Sequence, residues 1–317
     1  MKTMKAAICT GYGPPEMLRI SEVEMPEPGK DEVRIKVHAT SCHIGDVRIR
    51  SFDVPFWQMI PFRLYLGVRK PKRSILGMEL SGVVDEAGSH VKRFKKGDQV
   101  LASAGFIFGA YAQYICLPGE DGNARKGMVV MKPANMTFEE AAAGVATGGI
   151  TAQEVLKKAR IQKGDKALIY GASGSVGTFA VQLARYYGAE VTGVCSTANL
   201  DMVKSLGANK VIDYTRESIL DSGETYDVIF DAVGKLSRST GRKSLKKNGI
   251  FLNVNRDSGP GTGITVDDLD FLKGLVEEGK LKTVIDRKYP LEQIVEAHRY
   301  VGKGHKKGNV VINVIED

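Results

Sequence analysis

The sequence predicts a mixed α/β protein of two domains, one rich in β-strands and one with a doubly wound parallel sheet. Roughly the first 120 residues contain short runs of β-branched residues separated by glycine and proline turn signals. From Thr137 onward, strand patterns alternate with helix patterns, which is typical of βαβ units. The length of 317 residues is sufficient for two ordinary domains.

Composition and charge are those of a globular protein. Hydrophobic residues make up 43% of the chain and charged residues 26%. The net charge is +8, from 45 basic against 37 acidic residues, and a charge of this size can attract anionic ligands or nucleic acid nonspecifically. The densest basic run covers residues 69–73; a solvated loop is the more common fate of such a run, and nucleic-acid contact is the alternative.

The sequence argues against a membrane-spanning protein and against a disulfide-stabilised one. No stretch of eighteen apolar residues is present, so we expect no spanning helix and no membrane partner. The N-terminal residues lack the apolar segment of a secretory signal, so a cytoplasmic location is the expectation. No CxxC pair occurs, and we expect free, partly buried thiols at Cys9, Cys42, Cys116 and Cys195.

The β-rich part is predicted to contain strands at residues 5–8, 32–39, 80–87 and 99–102. Residues 51–66 include Phe56, Trp57, Phe62 and Tyr65, with two prolines, and match neither the strand period nor the helix period. Two interpretations stay open for this segment: an irregular aromatic loop beside a pocket, or core packing beneath a loop.

The later part is predicted to alternate strands with helices. Thr137 and Glu140 form a capping-box sequence ahead of an alanine-rich helix. The strands are predicted at residues 167–170, 190–195, 210–213, 227–231, 249–254 and 309–314. The helices are predicted at residues 177–187, 199–206, 237–245, 267–278 and 290–301.

A glycine-rich loop joins the first of these strands to its helix. Gly171, Gly174 and Gly177 stand where a tight turn, a close approach to phosphates and close helix–strand packing each require glycine. Ala172 replaces the first glycine of the usual GxGxxG, and a small residue still remains at the turn. Because the loop has the strand–loop–helix context that the motif needs, it predicts a dinucleotide-binding site.

The end of the next strand indicates which nucleotide is preferred. NAD-binding sites usually place an acidic residue there for the ribose hydroxyls. This strand ends at Cys195, followed by Ser196 and Thr197, so we expect no negative charge against a 2′-phosphate and two hydroxyl donors for it. Lys204 and Tyr214 are further candidate partners, and the sequence predicts a preference for NADPH.

Several motifs together resemble the medium-chain dehydrogenase/reductase superfamily, in its zinc-free quinone-oxidoreductase branch. They are MKAA at residues 4–7, ILGMELSG at 75–82, FKKGDQV at 94–100, residues 147–152, the loop at 171–177, QLA at 182–184, SLGA at 205–208, VIDY at 211–214 and GNVVI at 308–312. The resemblance covers nearly the whole chain and is less specific for any substrate.

The resemblance implies a GroES-like β-barrel catalytic domain at residues 1–133 and 284–317, with a Rossmann NADP(H)-binding domain inserted at residues 134–283. It also implies a cleft between the domains that holds the nicotinamide. The further cofactor contacts it implies are Thr147, Thr151, Ser173, Ser175, Val176, Ala232, Val233, Asn253 and Asn309.

The positions that hold zinc in alcohol dehydrogenases of this superfamily differ here. His43 stands three residues before Asp46, where the zinc enzymes have cysteine, and Met78 replaces the histidine of their Gly-His-Glu. A thioether is a poor zinc ligand. We therefore expect no metal, although Cys42, His43 and Glu79 remain conceivable as a rearranged site.

Without zinc, a protein group must stabilise charge on the substrate oxygen. His43 can donate a hydrogen bond or a proton near neutral pH, and Arg48 offers a fixed positive charge. A polar loop residue and a surface ion pair are the structural alternatives for these two. Asp46 is expected to orient the loop or to face the nicotinamide ribose.

Two questions of function stay open. The predicted reaction is zinc-independent hydride transfer from NADPH to a quinone or an α,β-unsaturated carbonyl compound. The alternatives are an NADP-dependent alcohol or aldehyde dehydrogenase, and an idle NADPH-binding sensor or RNA-binding protein. The resemblance implies a longer segment after Val254, with a strand that joins subunits, and this chain is shortened there, so a homodimer and a monomer are both open.

Overall fold

The computed structural model describes residues 2–53, 59–259 and 263–315. Its contacts divide the chain into two compact units. Unit 1 consists of Met1–Ala146, Gly263–Asp270 and Ile285–Asp317, and unit 2 consists of Thr147–Thr262 and Phe271–Val284. The sequence places the two junctions at 133/134 and 283/284.

Within residues 2–53 and 59–144, the structure describes seven strands and three α-helices. The strands are β1 (Thr3–Cys9), β2 (Leu18–Glu24), β3 (Glu32–Cys42), β4 (Glu79–Ala87), β5 (Gln99–Ser103), β6 (Tyr114–Pro118) and β7 (Met128–Met131). The helices are α1 (Ile44–Ser51), α2 (Met59–Leu66) and α3 (Phe138–Ala141).

The middle and last parts alternate strands and helices. A π-helical turn at Val145–Gly149 leads into α4 (Ile150–Ala159), β8 (Lys166–Tyr170), α5 (Ser175–Tyr186), β9 (Glu190–Cys195), α6 (Leu200–Ser205) and β10 (Lys210–Asp213). There follow β11 (Tyr226–Asp231), α7 (Arg238–Lys243), β12 (Leu245–Asn253), α8 (Val254–Asp257), α9 (Val266–Glu277), β13 (Ile285–Pro290), α10 (Ile294–Gly302) and β14 (Asn309–Asn313).

Unit 1 contains a seven-stranded sheet in the order β13-β14-β3-β4-β5-β7, with β6 also paired to β3, and a separate β1-β2 hairpin. Strand β3 is central because it pairs with β14, β4 and β6. Its Val33, Ile35 and Val37 are fully buried at alternate positions, as a half-buried strand requires. They belong to a core that also includes Leu80 and Val310.

The predicted capping box is present, but the helix it starts is short. Thr137 accepts a hydrogen bond from the Glu140 N–H, and the Glu140 side chain accepts from the Thr137 N–H. Ala142 and Ala143 then pack with Ala39 and Val311, both of unit 1. This packing assigns the segment to unit 1, whose first part extends to Ala146.

Unit 2 contains a five-stranded parallel sheet in the order β10-β9-β8-β11-β12. The chain leaves β8 in one direction to β9 and β10, and returns to the other side for β11 and β12. Such a reversal opens a crevice at the carboxyl ends of the strands, where ligands bind in sheets of this kind. Ala167, Leu168 and Ile169 of β8 are fully buried, as in a strand covered on both faces.

Strand β12 is at the edge of this sheet among the described residues. It is followed by α8 and, beyond the undescribed residues 260–262, by α9. Lys246 and Lys247 of β12 are exposed, and charged side chains on an edge strand oppose pairing with another strand.

The aromatic segment at residues 51–66 differs from both interpretations of the sequence. Residues 54–58, which include Phe56 and Trp57, lie outside the described residues. The following residues form α2, which is a helix rather than an irregular loop and has no buried residue. Core packing is therefore wrong for this part.

No helix of the described residues is long and apolar enough to cross a bilayer.

A chain of buried polar side chains crosses the core of unit 1. Arg50 Nε donates to His298 Nδ1 at 3.4 Å, and His298 Nε2 lies 3.2 Å from the Tyr111 hydroxyl. His298 and Tyr111 are fully buried. Because Nδ1 accepts, Nε2 carries the hydrogen and donates to Tyr111. Burial, with Arg50 nearby, lowers the pKa of His298 to about 3.

The neutral His298 predicts loss of stability in acid. An unfolded histidine binds a proton near pH 6.5, whereas His298 in the folded protein does not, so its stabilisation is complete above about pH 6.5 and is lost as the pH falls toward 3. His298→Gln keeps a donor and an acceptor but does not titrate. Over that window, urea unfolding should show the wild type losing about 1.4 kcal/mol more per pH unit than this variant.

The matched control is His305→Gln, because His305 is exposed and the described residues show no hydrogen bond or ion pair of its side chain. The change that it makes in the pH dependence of the unfolding free energy should be much smaller than the change made by His298→Gln. Parallel curves for the wild type and His298→Gln would contradict the neutral state of His298.

Candidate active site and cofactor-binding loop

Helix α1 of unit 1 begins at the candidate catalytic residue His43. Its Nδ1 accepts the Gly45 N–H at 3.1 Å, and its own N–H donates to Asp46 Oδ2 at 3.1 Å. This reciprocal capping box satisfies two N–H groups of the first helical turn. Because Nδ1 is an acceptor, the ring hydrogen is on Nε2.

His43 is neutral at physiological pH. Burial and, to a smaller extent, the positive charges of Lys306 and Arg48 together lower its pKa to about 3. The sequence expectation that His43 can release a proton near neutral pH therefore does not suit its surroundings. Donation of a hydrogen bond from Nε2–H is what this imidazole offers.

Asp46 holds α1 against the loop that precedes β4. It is fully buried, and Oδ1 accepts the Gly77 N–H at 3.1 Å while Oδ2 accepts the His43 N–H. Burial raises its pKa to about 6, although these two bonds and a hydrogen bond with Tyr111 act to lower it. Its carboxylate thus orients the loop, one of the two roles expected for it.

Arg48 lies four residues before Phe52 on α1 and its side chain is exposed. Its charge reaches His43, since it contributes to the lowered pKa of that imidazole. Among the described residues, no ion pair of this guanidinium is present, and the catalytic role of Arg48 stays a prediction.

Lys306 is a residue of this site that the sequence did not indicate. Burial lowers its pKa to about 8, although Cys42, Asp286 and Glu79 act to raise it. Its Nζ donates to the carbonyl of Gly308. No motif marks this lysine, because more than 250 residues separate it from His43 and only the pairing of β14 with β3 brings the two segments together.

The glycine loop of unit 2 has the close contacts that its spacing predicts. Gly171 has φ of +78°, a left-handed conformation that favours glycine, and a Cβ on Gly177 would lie 2.1 Å from the Gly171 carbonyl oxygen. A Cβ on Gly174 would meet only that same oxygen, at 3.5 Å. The middle glycine therefore faces open space, which is the room that a phosphate needs.

Helix α5 starts directly after this loop. Its N-cap is Gly174, with no side chain to cap the first N–H groups, and such uncapped groups suit an anion. Gly148 of the π-helical turn lies against Ser175, since a Cβ there would be 2.6 Å from Ser175 Oγ. The neighbouring Thr147 hydroxyl is buried with no hydrogen-bond partner in the described residues. A buried hydroxyl without a partner, next to uncapped N–H groups and open space, is the arrangement expected of a site for the phosphates of a dinucleotide.

A carboxylate lies beside the end of β9, where the sequence predicts no negative charge. Asp213 ends β10 and pairs in register with Cys195, so it lies beside the hydroxyls expected to bind a 2′-phosphate. The Thr197 hydroxyl donates to Asp213, and Thr215 donates to it through N–H and hydroxyl. These bonds hold the pKa of Asp213 below its usual value. The expectation of no negative charge here was wrong.

Other groups remain available for a phosphate at this edge. The Ser196 hydroxyl accepts from Asn199 Nδ2 at 3.1 Å and keeps its own hydrogen. Lys204 is exposed on α6, and Tyr214 is 51% exposed with its ring 6.4 Å from that of Tyr170. Arg216, which no sequence motif indicates, has its Nε 3.6 Å from Asp213 Oδ2 and partly offsets the charge of that carboxylate.

The loop after β11 is organised by Asp231. Its Oδ1 accepts the N–H groups of Val233 at 3.2 Å and Gly234 at 2.8 Å, and its Oδ2 accepts Asn253 Nδ2 at 2.9 Å. Val233 is thereby placed over the glycine loop, 2.6 Å from where a Cβ on Gly171 would lie. Asn253 also caps α8, so its side chain acts as a positioning group.

Of the remaining candidate cofactor contacts, four lie in unit 2 and one lies in unit 1. Thr151 is half-buried on α4, Ala232 is buried, and Ser173 and Val176 are half-buried in the loop and the first turn of α5. Asn309 belongs to unit 1, where its Nδ2 donates to the Ala143 carbonyl at 2.8 Å.

Known proteins resemble this chain over its full length. The family description "Alcohol dehydrogenase GroES-like domain" matches residues 29–126, and "Zinc-binding dehydrogenase" matches residues 206–312. A chloroplastic NADPH-dependent alkenal/one oxidoreductase of Arabidopsis thaliana is 32% identical, over 98% of this chain and 80% of its own. A chloroplastic quinone-oxidoreductase of Triphysaria versicolor is 33% identical, over 98% of both.

A solved structure agrees with these relatives. The quinone oxidoreductase from Coxiella burnetii superposes with a TM-score of 0.84 at 29% identity, and the match covers 99% of this chain and 100% of that one. The chain belongs to the medium-chain dehydrogenase/reductase superfamily, in its quinone-oxidoreductase-like branch. The GroES-like unit and the Rossmann-like parallel sheet predicted from the sequence are confirmed.

The zinc positions of this superfamily hold unsuitable groups here. Met78 offers a thioether, which lies beside Gly45. Burial raises the pKa of the Cys42 thiol far above its usual value, and Glu79 Oε1 accepts the Ser41 hydroxyl. Within residues 2–53, 59–259 and 263–315, no three His, Cys, Asp or Glu side chains are placed to share a metal. These residues do not fit zinc.

The open cradle at Gly174 predicts a selective loss of cofactor binding. Gly174→Ala should change the unfolding free energy by less than about 1 kcal/mol, because its φ of −79° suits alanine and the added methyl meets only one atom, at 3.5 Å. It should weaken NADPH binding about tenfold or more, because the methyl occupies the phosphate space. Fluorescence titration with NADPH and urea unfolding measure the two.

Gly274→Ala is the control, since a Cβ there meets nothing within 4 Å on α9. Its NADPH affinity should equal that of the wild type. An unchanged NADPH affinity in Gly174→Ala would contradict the assignment of the phosphate site to this loop.

The charge of Lys306 predicts a shift at His43. Lys306→Gln removes a cation that disfavours the imidazolium, so the pKa of His43 should rise from about 3 and stay below 6.5, because burial is the larger cause. Titration of the His43 ring proton by nuclear magnetic resonance measures this. Lys303→Gln, an exposed lysine three residues away, should leave the value unchanged. If His43 had the same pKa in both variants, the charge of Lys306 would not act on His43.

Proposed function

We propose that this chain transfers hydride from NADPH to the β-carbon of an α,β-unsaturated carbonyl compound or to a quinone, without zinc. The observation that carries the proposal is the open phosphate cradle at Gly174 together with zinc positions that hold His43 and Met78. Relatives named as NADPH-dependent alkenal/one and quinone oxidoreductases support the same chemistry.

Unit 2 holds the cofactor in this proposal. The N–H groups at the start of α5 and the residues 171–177 take the pyrophosphate, and the buried Thr147 hydroxyl acquires the hydrogen-bond partner it lacks. NADPH supplies the hydride. Ser196, Lys204 and Tyr214 take the 2′-phosphate, while Thr197 holds Asp213 and contributes no free hydrogen.

Unit 1 stabilises the charge that develops on the substrate oxygen. His43 donates from Nε2–H, and its neutral state is fixed by burial and by the bond from Gly45 to Nδ1. Arg48 adds a fixed positive charge. Lys306 holds a proton at Nζ with a pKa of about 8, which suits a donor near neutral pH better than His43 does.

The alternative functions lack a comparable observation. Oxidation of simple alcohols in this superfamily relies on zinc, and the donor set at residues 43, 78 and 79 does not fit it. No feature of the described residues favours an idle sensor or an RNA-binding protein. A small-molecule partner follows from the proposal; the choice between monomer and dimer stays a prediction for light scattering. A cytoplasmic location also stays a prediction, since the two relatives are named chloroplastic.

The proposal predicts oxidation of NADPH by quinones, enals and enones. NADPH absorbance at saturating cofactor should fall with at least one of these classes, and the cofactor affinity should be about tenfold or more higher for NADPH than for NADH. Lys204→Ala should weaken NADPH binding several-fold and leave NADH binding unchanged, because only NADPH has the 2′-phosphate.

Lys163→Ala is the matched control, because Lys163 precedes the amino end of β8, away from the carboxyl edge of the sheet. It should bind both nucleotides as the wild type does. Tighter binding of NADH, or turnover of alcohols but not of enones and quinones, would overturn the proposal.

A further inference from the structure

Helix α2 and the residue that follows its turn expose an unusual number of apolar side chains. Among the described residues, half of the exposed large hydrophobic side chains lie within residues 60–68. A soluble surface rarely concentrates them in this way without a partner. They are Ile60 at 76% exposed, Phe62 at 39%, Leu64 at 66%, Tyr65 at 65% and Val68 at 61%.

This helix is fixed to unit 1 rather than frayed. The Arg63 guanidinium carbon lies 4.6 Å from the centre of the Phe52 ring and 5.4 Å from that of Tyr12. The Tyr12 hydroxyl donates to the Gly67 carbonyl at 2.9 Å, and Lys72 Nζ donates to the Leu64 carbonyl at 2.8 Å. Tyr12 and Phe52 therefore hold α2 through Arg63 and Gly67, Lys72 ties the basic run to the helix, and the apolar side chains stay exposed.

The surrounding charge has a single sign. Residues 54–78 contain five basic residues and no acidic one, so this short segment accounts for five of the eight net positive charges. The basic side chains that follow α2 are all exposed: Arg69, Lys70, Lys72 and Arg73. The tight turn at Gly67, with φ of +129°, brings this run back beneath the C-terminal end of the helix.

We propose that α2 and the basic run form a docking surface for an anionic lipid bilayer. The apolar side chains enter the boundary between headgroups and acyl chains, and the cations pair with lipid phosphates. A second copy of this chain would present the same positive charge and repel, and nucleic acid offers no apolar phase for Ile60 and Leu64. Eight residues span about 12 Å, so the helix lies in the surface and does not cross it.

This inference revises the expectation of no membrane partner, which was based on the absence of a spanning segment. It is independent of the proposed reaction, because none of its residues belongs to the candidate active site.

Co-sedimentation with vesicles tests the proposal. The wild type should sediment with vesicles of phosphatidylcholine and phosphatidylglycerol, and much less with phosphatidylcholine alone. Arg69→Glu with Lys70→Glu should weaken binding to the anionic vesicles about tenfold or more. Leu64→Ser should weaken it several-fold without loss of fold, since α2 has no buried residue.

Matched controls distinguish binding through this surface from nonspecific attraction of the protein's net positive charge to anionic vesicles. Arg242→Glu with Lys243→Glu reverses an adjacent, exposed Arg-Lys pair elsewhere, and Leu220→Ser removes another exposed leucine. Both should bind vesicles as the wild type does. Failure of the wild type to bind, or equal loss in variants and controls, would overturn the proposal. A change in molecular mass in Leu64→Ser by light scattering, with vesicle binding intact, would assign the face to a second copy instead.

Discussion

The buried carboxylate of Asp46 is the constraint on which the candidate catalytic side chains of unit 1 depend. It joins the first turn of α1 to the loop at Gly77 through two backbone N–H groups, so two segments more than 30 residues apart keep one geometry. Tyr111 binds the same carboxylate and is itself held by His298 and Arg50. Burying this charge is unfavourable, as its raised pKa indicates, and the cost is offset by the bonds it collects.

In unit 2, the close approach of two backbone segments fixes the geometry of the glycine loop. The contact between Gly177 and the Gly171 carbonyl sets α5 directly on β8, which aims the first N–H groups of the helix at the open space beside Gly174. Asp231 fixes the opposite side of this crevice by binding the Val233 loop and Asn253. The proposed anion site is therefore made of backbone N–H groups, and its shape depends on the side chains of Asp231 and Asn253 around it.

Electrostatics then distinguishes this chain from zinc enzymes of the same superfamily. Burial keeps His43 neutral, keeps the Cys42 thiol protonated and makes the Lys306 proton easier to release. A neutral imidazole donor beside cations favours negative charge on a nearby oxygen without a metal. In unit 2, Asp213 is balanced by Thr197, Thr215 and Arg216, so this carboxylate does not exclude the 2′-phosphate site that we propose at Ser196 and Lys204.

The sequence by itself determined the parallel sheet, the GroES-like unit and the glycine loop. The strands at residues 190–195 and 210–213 have the bounds that the sequence predicts, because each is a short run with β-branched residues that follows a glycine turn. Only the tertiary structure decided which side chains surround the site. Asp213 reaches Thr197 through strand register, and Lys306 reaches His43 through the pairing of β14 with β3. Local pattern carries the period of an element, whereas contacts between distant segments depend on register and packing, which no window of sequence contains.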